Sequence, residues 1–151
     1  LMKRAIFPGS FDPITIGHLD IINRGLKVFD EIIIGIGENA EKKYMFSSDR
    51  RVEYVKTVFK KNDNVQVKTY SGLTVDFCKK NNSNFLIRGI RNPSDFDFEK
   101  SIALTNRKIS NIETVFFLTS VENSYISSSI VRDLIRNKGE YQLFIPKGIT
   151  I

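Results

Sequence analysis

Apolar and polar positions fall in blocks along the chain. Four short apolar runs, Ala5-Ile6-Phe7, Ile32-Ile33-Ile34, Phe85-Leu86-Ile87 and Val115-Phe116-Phe117-Leu118, are rich in β-branched or aromatic residues and bounded by turn formers. That pattern predicts strands buried on both faces, as in a parallel sheet. A fifth run, Val65-Gln66-Val67-Lys68-Thr69-Tyr70, alternates apolar with polar residues at first. It predicts a strand with one wetter face, nearer an edge.

Helical patterns separate these runs. Leu19, Ile22, Leu26 and Phe29 recur on one helical face, and Val52, Val55, Val58 and Phe59 do the same after Ser47-Ser48-Asp49, which supplies a cap and an acidic first turn. Leu73 to Cys78 predicts a shorter helix. Ser94-Asp95-Phe96-Asp97 fits a capping pattern that opens a helix to about Ile109. Ile130, Val131, Leu134 and Ile135 form a last stripe, with Arg136 and Lys138 in its final turn and Gly139 as a C-cap. Strand and helix thus alternate five times. The expected fold is α/β: a Rossmann-like, doubly wound sheet of about five parallel strands with helices on both faces, in a single domain over residues 1–151. Leu1, ahead of Met2, is expected to be an addition to the natural chain.

Composition narrows the chemistry. One cysteine (Cys78) excludes an intramolecular disulfide framework and a Cys-based zinc site, and one histidine (His18) excludes a two-His metal site. No apolar run approaches the ~20 residues of a membrane span, so a soluble, cytoplasmic protein is expected, without a membrane partner. The formal charge of +6 suggests an anionic partner without naming it.

In doubly wound folds ligands bind beyond the carboxyl ends of the strands, which directs attention to the loops there. The first is Pro8-Gly9-Ser10-Phe11-Asp12-Pro13-Ile14-Thr15-Ile16-Gly17-His18. Gly9 permits close backbone approach and Ser10 adds a hydroxyl. Gly17 and His18 fall in the first turn of a helix, where free N–H groups and the dipole favour an anion. The loop after the fourth strand, Arg88-Gly89-Ile90-Arg91-Asn92-Pro93, carries two guanidinium groups suited to phosphate oxygens. Its plain alternative is a pair of surface arginines bonded to Asp95, Asp97 or Glu99. After the fifth strand, Ser127, Ser128 and Ser129 open a helix with more hydroxyls than capping needs. Lys42-Lys43 follows the second strand. Gly35-Ile36-Gly37-Glu38-Asn39-Ala40 matches a dinucleotide-binding fingerprint, but no helical stripe follows it and no acid ends the next strand, so it is set aside.

Five motifs stand in order: Pro8 to Pro13, Thr15-Ile16-Gly17-His18, Lys42 with Met45-Phe46, Leu86 to Arg91, and Ile126 to Arg132. Together they resemble the phosphopantetheine adenylyltransferase family of the nucleotidyltransferase superfamily. The resemblance runs from about Lys3 to Pro146. It implies transfer of AMP from ATP to 4′-phosphopantetheine, giving dephospho-coenzyme A and pyrophosphate, the penultimate step of coenzyme A synthesis, by in-line attack without a covalent intermediate. It implies Mg²⁺ held mainly by ATP phosphates, a cytoplasmic homo-oligomer (a hexamer), and dephospho-CoA or CoA as further ligands.

The resemblance also implies residue roles. His18, Lys42, Ser10 and Arg91 are the expected catalytic residues, His18 acting on the α-phosphate. ATP is expected against Ser10, Phe11, His18, Gly89, Ile90, Arg91, Glu99 and the segment Asn123, Ser124, Tyr125, Ile126, Ser127, Ser128 and Ser129. Phosphopantetheine is expected against Ser10, Lys42, Leu73, Thr74, Arg88 and Asn106. No protein metal ligand is expected. Departures from the family pattern are Ser10 for threonine, Ile16 where asparagine is frequent, Phe98 for tyrosine and Tyr44 for proline, the last in the loop presenting Lys42. Relatives are expected to continue past Ile151 into a further helix. The alternatives are a nucleotidyltransferase with another acceptor, such as nicotinate mononucleotide or glycerol phosphate, or a basic nucleic-acid-binding module, for which the chain shows no motif.

Overall fold

Each predicted apolar run lies in a strand of the computed structural model, which describes residues 2–151; the expectation about Leu1 falls outside them. Among the described residues β1 (Arg4–Gly9), β2 (Glu31–Gly37), β3 (Val65–Tyr70), β4 (Phe85–Ile90) and β5 (Glu113–Leu118) form one parallel sheet in the order β3-β2-β1-β4-β5. The helices α1 (Ile16–Gly25), α2 (Ser48–Val58), α3 (Thr74–Lys80), α4 (Pro93–Ser110) and α5 (Ser128–Arg136) alternate with the strands.

The period of two along each strand divides the core. Ala5, Phe7, Ile32, Ile34, Ile36 and Ile87 pack with Ile21 and Ile22 of α1 and Tyr54 and Val55 of α2 on one face. Ile6, Ile33 and Leu86 pack with Val75, Phe77 and Cys78 of α3 on the other. Helices therefore cover both faces, as expected of a doubly wound sheet. No helix of the described residues is long and apolar enough to cross a membrane.

Four local expectations are corrected. β5 is not buried on both faces: it is an edge strand with β4 as its neighbour, and Leu118 is 73% exposed. Phe29 is buried but lies past α1, in the turn that follows Gly25. α4 begins at Pro93 rather than at Ser94, because the Asn92 side chain caps it by accepting the Asp95 N–H at 2.9 Å, and proline suits the first helical position. After α5 the left-handed residue is Lys138 (φ 57°), not Gly139. Gly139 instead donates to the Leu134 carbonyl at 2.7 Å in the following position, where a Cβ would stand 2.9 Å from the Leu134 side chain.

Candidate active site

Beyond β1 the chain turns towards α1, and beyond its neighbour β4 it turns towards α4 on the opposite face. The crevice between these exits is where such sheets bind ligands, and two adjoining cavities lie there. The first, about 400 Å³, is lined by Ser10, Lys42, Thr74, Arg88 and Asn106, with Tyr44, Tyr70, Phe98 and Ile102. The second, about 300 Å³, is lined by Ser10, Phe11, His18, Gly89, Arg91, Glu99, Asn123, Ile126, Ser127 and Ser128. Pro8, Gly9, Ser10, Arg88 and Glu99 line both.

His18 is the third residue of α1, and it completes a capping box. Its N–H donates to the Thr15 hydroxyl at 3.3 Å, and its Nδ1 accepts the Thr15 N–H at 3.0 Å. Nδ1 is therefore unprotonated, and the proton of the neutral ring sits on Nε2. The ring centroid lies 4.8 Å from that of Phe11 and 6.1 Å from that of Phe7. Burial against these rings, and then the charges of Arg88 and Arg91, lower the His18 pKa from 6.5 to about 4. At neutral pH the residue is an uncharged hydrogen-bond donor.

Arg88, with Gly89 and Ile90, lies inside β4 rather than in the loop after it, because these residues pair with β5, and its side chain spans the wall between the cavities. It donates Nε to Glu99 Oε2 at 2.9 Å and NH2 to Oε1 at 2.6 Å, a bidentate pair, and NH1 to the Pro8 carbonyl at 2.9 Å. Glu99 is 8% exposed, and its carboxylate is spent on Arg88. Arg91 pairs with Asp95 at 3.0 Å and reaches the Ile126 carbonyl at 3.5 Å. Burial works against the Asp95 charge, but the bonds from Arg91 outweigh it and hold the carboxyl below its usual range. Both arginines thus have acidic partners and both also face the crevice.

Lys42 Nζ donates to Ser10 Oγ at 3.4 Å, so the loops after β1 and β2 meet at the two side chains common to the expected catalytic and acceptor groups. The three serines are each engaged. Ser127 Oγ caps α5 by accepting the Ile130 N–H at 3.2 Å, Ser128 Oγ donates to the Pro13 carbonyl at 2.9 Å, and Ser129 Oγ accepts from Arg132 at 3.1 Å. Beyond capping, the Ser128 hydroxyl ties α5 to the first loop and the Ser129 hydroxyl holds the Arg132 guanidinium within α5. Arg132 also donates to the Asp12 carbonyl at 3.0 Å, so α5 is fastened to the first loop twice.

Not every expected residue lines a cavity. Leu73 is 61% exposed and borders neither cavity. Ile90 is buried in the sheet. Ser124, Tyr125 and Ser129 lie outside the second cavity, with Tyr125 60% exposed. Two supporting residues have no role assigned from the sequence, although Asp12 stands within the Pro8-to-Pro13 motif. Asp12 is buried and accepts the Met45 and Phe46 N–H groups at 2.8 and 2.9 Å. Arg51 is 2% exposed and bonds to the Ser10 and Gly37 carbonyls. Arg51 precedes Tyr54 and Val55 by three and four positions, so a charge on the buried stripe of α2 was the available signal.

The set-aside glycine pattern also has a structural account. A Cβ on Gly35 would stand 2.8 Å from the Phe77 ring and 3.1 Å from the Tyr70 ring, and these rings stack with centroids 4.4 Å apart. Gly35 makes room for aromatic packing. Cys78 is buried, which pushes its thiol up to about 12 and keeps it inert.

Residues 6–134 match the family model described as cytidylyltransferase-like. The chain is 58% identical over 150 residues to a phosphopantetheine adenylyltransferase of Flavobacterium johnsoniae, covering 99% of each chain. It is 57% identical to that of Flavobacterium psychrophilum, again over 99% of each, and 49% identical to that of Lachnoclostridium phytofermentans, over 98% of this chain and 91% of the relative. The further helix expected past Ile151 therefore has no counterpart in the two Flavobacterium proteins. Among solved structures, a bifunctional NMN adenylyltransferase/ADP ribose pyrophosphatase from Francisella tularensis superposes with a TM-score of 0.75 at 15% identity, which speaks to the fold. The match covers 96% of this chain and 45% of that one, so the chain spans about half the length of that structure.

Proposed function

The chain belongs to the phosphopantetheine adenylyltransferase family of cytidylyltransferase-like proteins, and on that premise we propose that it transfers AMP from ATP to 4′-phosphopantetheine, releasing dephospho-coenzyme A and pyrophosphate. The observation that carries the reading is the pair of cavities sharing Ser10, Arg88 and Glu99. Two polyanionic substrates can occupy them side by side, with their phosphates meeting over Ser10.

ATP occupies the second cavity and the acceptor the first. The acceptor phosphate attacks the α-phosphorus in line, and pyrophosphate leaves. Bringing the two anions together is the main obstacle, so the chain contributes positioning and charge rather than a nucleophile. His18 donates its Nε2–H to an α-phosphate oxygen as negative charge builds there. The N-terminus of α1, opened by Thr15, adds its dipole at the same point. Lys42 and Arg88 hold the acceptor phosphate, and Arg91 faces the outer phosphates of ATP. Thr74 and Asn106 border the pantetheine arm.

Mg²⁺ enters this reading as a companion of ATP. Among the described residues no three His, Cys, Asp or Glu side chains gather, and a hard cation with phosphate oxygens and water as ligands suits such a site. When bound, the ion offsets phosphate charge.

Assembly belongs to the same proposal. α4 leaves Leu104 49% and Ile109 55% exposed, away from both cavities, and a second copy of the chain in a cytoplasmic homo-oligomer, a hexamer by family resemblance, would cover them. The test of function is incubation with ATP, Mg²⁺ and 4′-phosphopantetheine. Pyrophosphate release with formation of dephospho-coenzyme A is expected. No release, or faster release with nicotinate mononucleotide as acceptor, would overturn the proposal.

A further inference from the structure

Arg51 is a buried cation without an acid. Its side chain is 2% exposed, and among the described residues no carboxylate pairs with it. Its partners are three backbone carbonyls, those of Ser10 at 2.8 Å, Gly37 at 3.1 Å and Phe46 at 3.3 Å. They belong to the loop after β1, the end of β2 and the segment leading into α2. One guanidinium thus joins all three.

An aromatic face completes its surroundings. The Arg51 guanidinium carbon lies 3.9 Å from the centroid of the Tyr44 ring, close stacking for a cation on an aromatic face. The Tyr44 hydroxyl accepts the Asn39 N–H at 3.0 Å, which closes residues 39–44 into a short loop. Lys42 sits inside that loop, with its own N–H bonded to the Asn39 carbonyl at 3.0 Å. Tyr44 therefore fixes the Lys42 loop to Arg51, and Arg51 fixes Ser10. The Lys42–Ser10 contact across the first cavity joins the two ends of this arrangement.

We infer that Tyr44 and Arg51 are positioning residues: their stacked pair sets the separation of Lys42 and Ser10 and so holds the acceptor-phosphate subsite in register. A lysine side chain on an exposed loop has much rotamer freedom to lose on binding an anion, and a fixed loop lowers that loss. The assignment rests on the acceptor reading given above.

Tyr44→Leu removes the stack and the hydroxyl but keeps apolar bulk, whereas Tyr44→Phe removes only the hydroxyl. In Tyr44→Leu the KM for 4′-phosphopantetheine should rise about tenfold, between the scales of exposed and desolvated cation–π contacts, with the Kd for ATP within about twofold. Tyr44→Phe should restore most of this, leaving a rise of about threefold for one lost hydrogen bond. A second readout needs no turnover. Acetylation of Lys42 by a small amine-reactive ester, followed by mass spectrometry against exposed Lys60, should be faster in Tyr44→Leu. An unchanged acceptor KM together with an unchanged Lys42 acetylation rate would overturn the inference. If Tyr44→Leu does not fold, Tyr44→Gln, which also lacks the ring, decides by the same two readouts. Should the unaltered protein release no pyrophosphate, the acceptor reading fails, while the acetylation rates still decide the clamp.

Discussion

The Thr15 N–H points at His18 Nδ1 from 3.0 Å, and this one bond selects which ring nitrogen is left to donate. With Nδ1 occupied as an acceptor, Nε2 carries the proton in the neutral ring. A single residue both caps α1 and supplies the donor that the proposed transition state needs.

His18→Ala should lower kcat for pyrophosphate release by ~10²-fold or more, the scale for losing one transition-state donor. ATP affinity should change much less. Steady-state kinetics beside an ATP titration checks the split. A near-normal kcat would remove His18 from the mechanism.

The depressed pKa of His18 also has a consequence for stability. The folded value of about 4 lies below the ordinary imidazole value of 6.5, so the unfolded chain takes up a proton first as the pH falls. The stability contributed by the neutral, bonded ring is complete above pH 6.5 and is lost progressively towards pH 4. Urea midpoints between pH 7 and pH 4.5 should fall more steeply in the unaltered protein than in His18→Ala. Because His18 is the sole histidine, the difference between the two curves isolates it from the carboxylates.

Removing Arg88 strips the buried Glu99 carboxylate of its bidentate partner. Arg88→Ala should raise the acceptor KM by ~10-fold or more, in line with hydrogen bonds to charged groups, and affect the ATP Kd less. It should also lower the thermal midpoint. The double variant Arg88→Ala, Glu99→Ala should regain part of that loss, because no unpaired charge remains. Binding titrations showing the larger effect on ATP would reassign Arg88.

Gly35→Ala places a methyl group 2.8 Å from the Phe77 ring. A destabilisation of about 1–3 kcal/mol is expected, the usual cost of overpacking, read as a shift in the urea midpoint. Tyr70 stacks on Phe77 and bonds Thr74 at 2.9 Å in the first cavity, so acceptor affinity should fall with it. If stability were unchanged, the aromatic stack would not be what requires glycine here.

The sheet, its helices and the crevice loops were legible in the sequence because each depends on local order: an apolar run, a stripe, a cap, then a polar loop at a strand exit. Ser10, Lys42 and Arg91 lie in such loops, His18 in the first turn of α1, and Arg88 within β4 two residues before its end. The roles of Asp12 and Arg51 were not legible. Their partners are backbone N–H and C=O groups 33 to 41 residues away for the bonds to Met45, Phe46 and Ser10, and backbone groups leave no trace in residue type. The edge position of β5 was hidden likewise, since Val115 to Leu118 is as apolar as a central strand. The apolar side chains left exposed on α4 fit the oligomer proposed above rather than the core of one chain.

The first loop is held by residues far along the chain. Arg88 bonds Pro8 across 80 positions, Ser128 bonds Pro13 across 115, and Arg132 bonds Asp12 across 120. Closing such long loops comes late in folding. During synthesis this loop leaves the ribosome well before Arg88, Ser128 and Arg132, the residues that make these bonds. A nascent chain halted before Phe85 carries the whole of this loop and none of these three bonds.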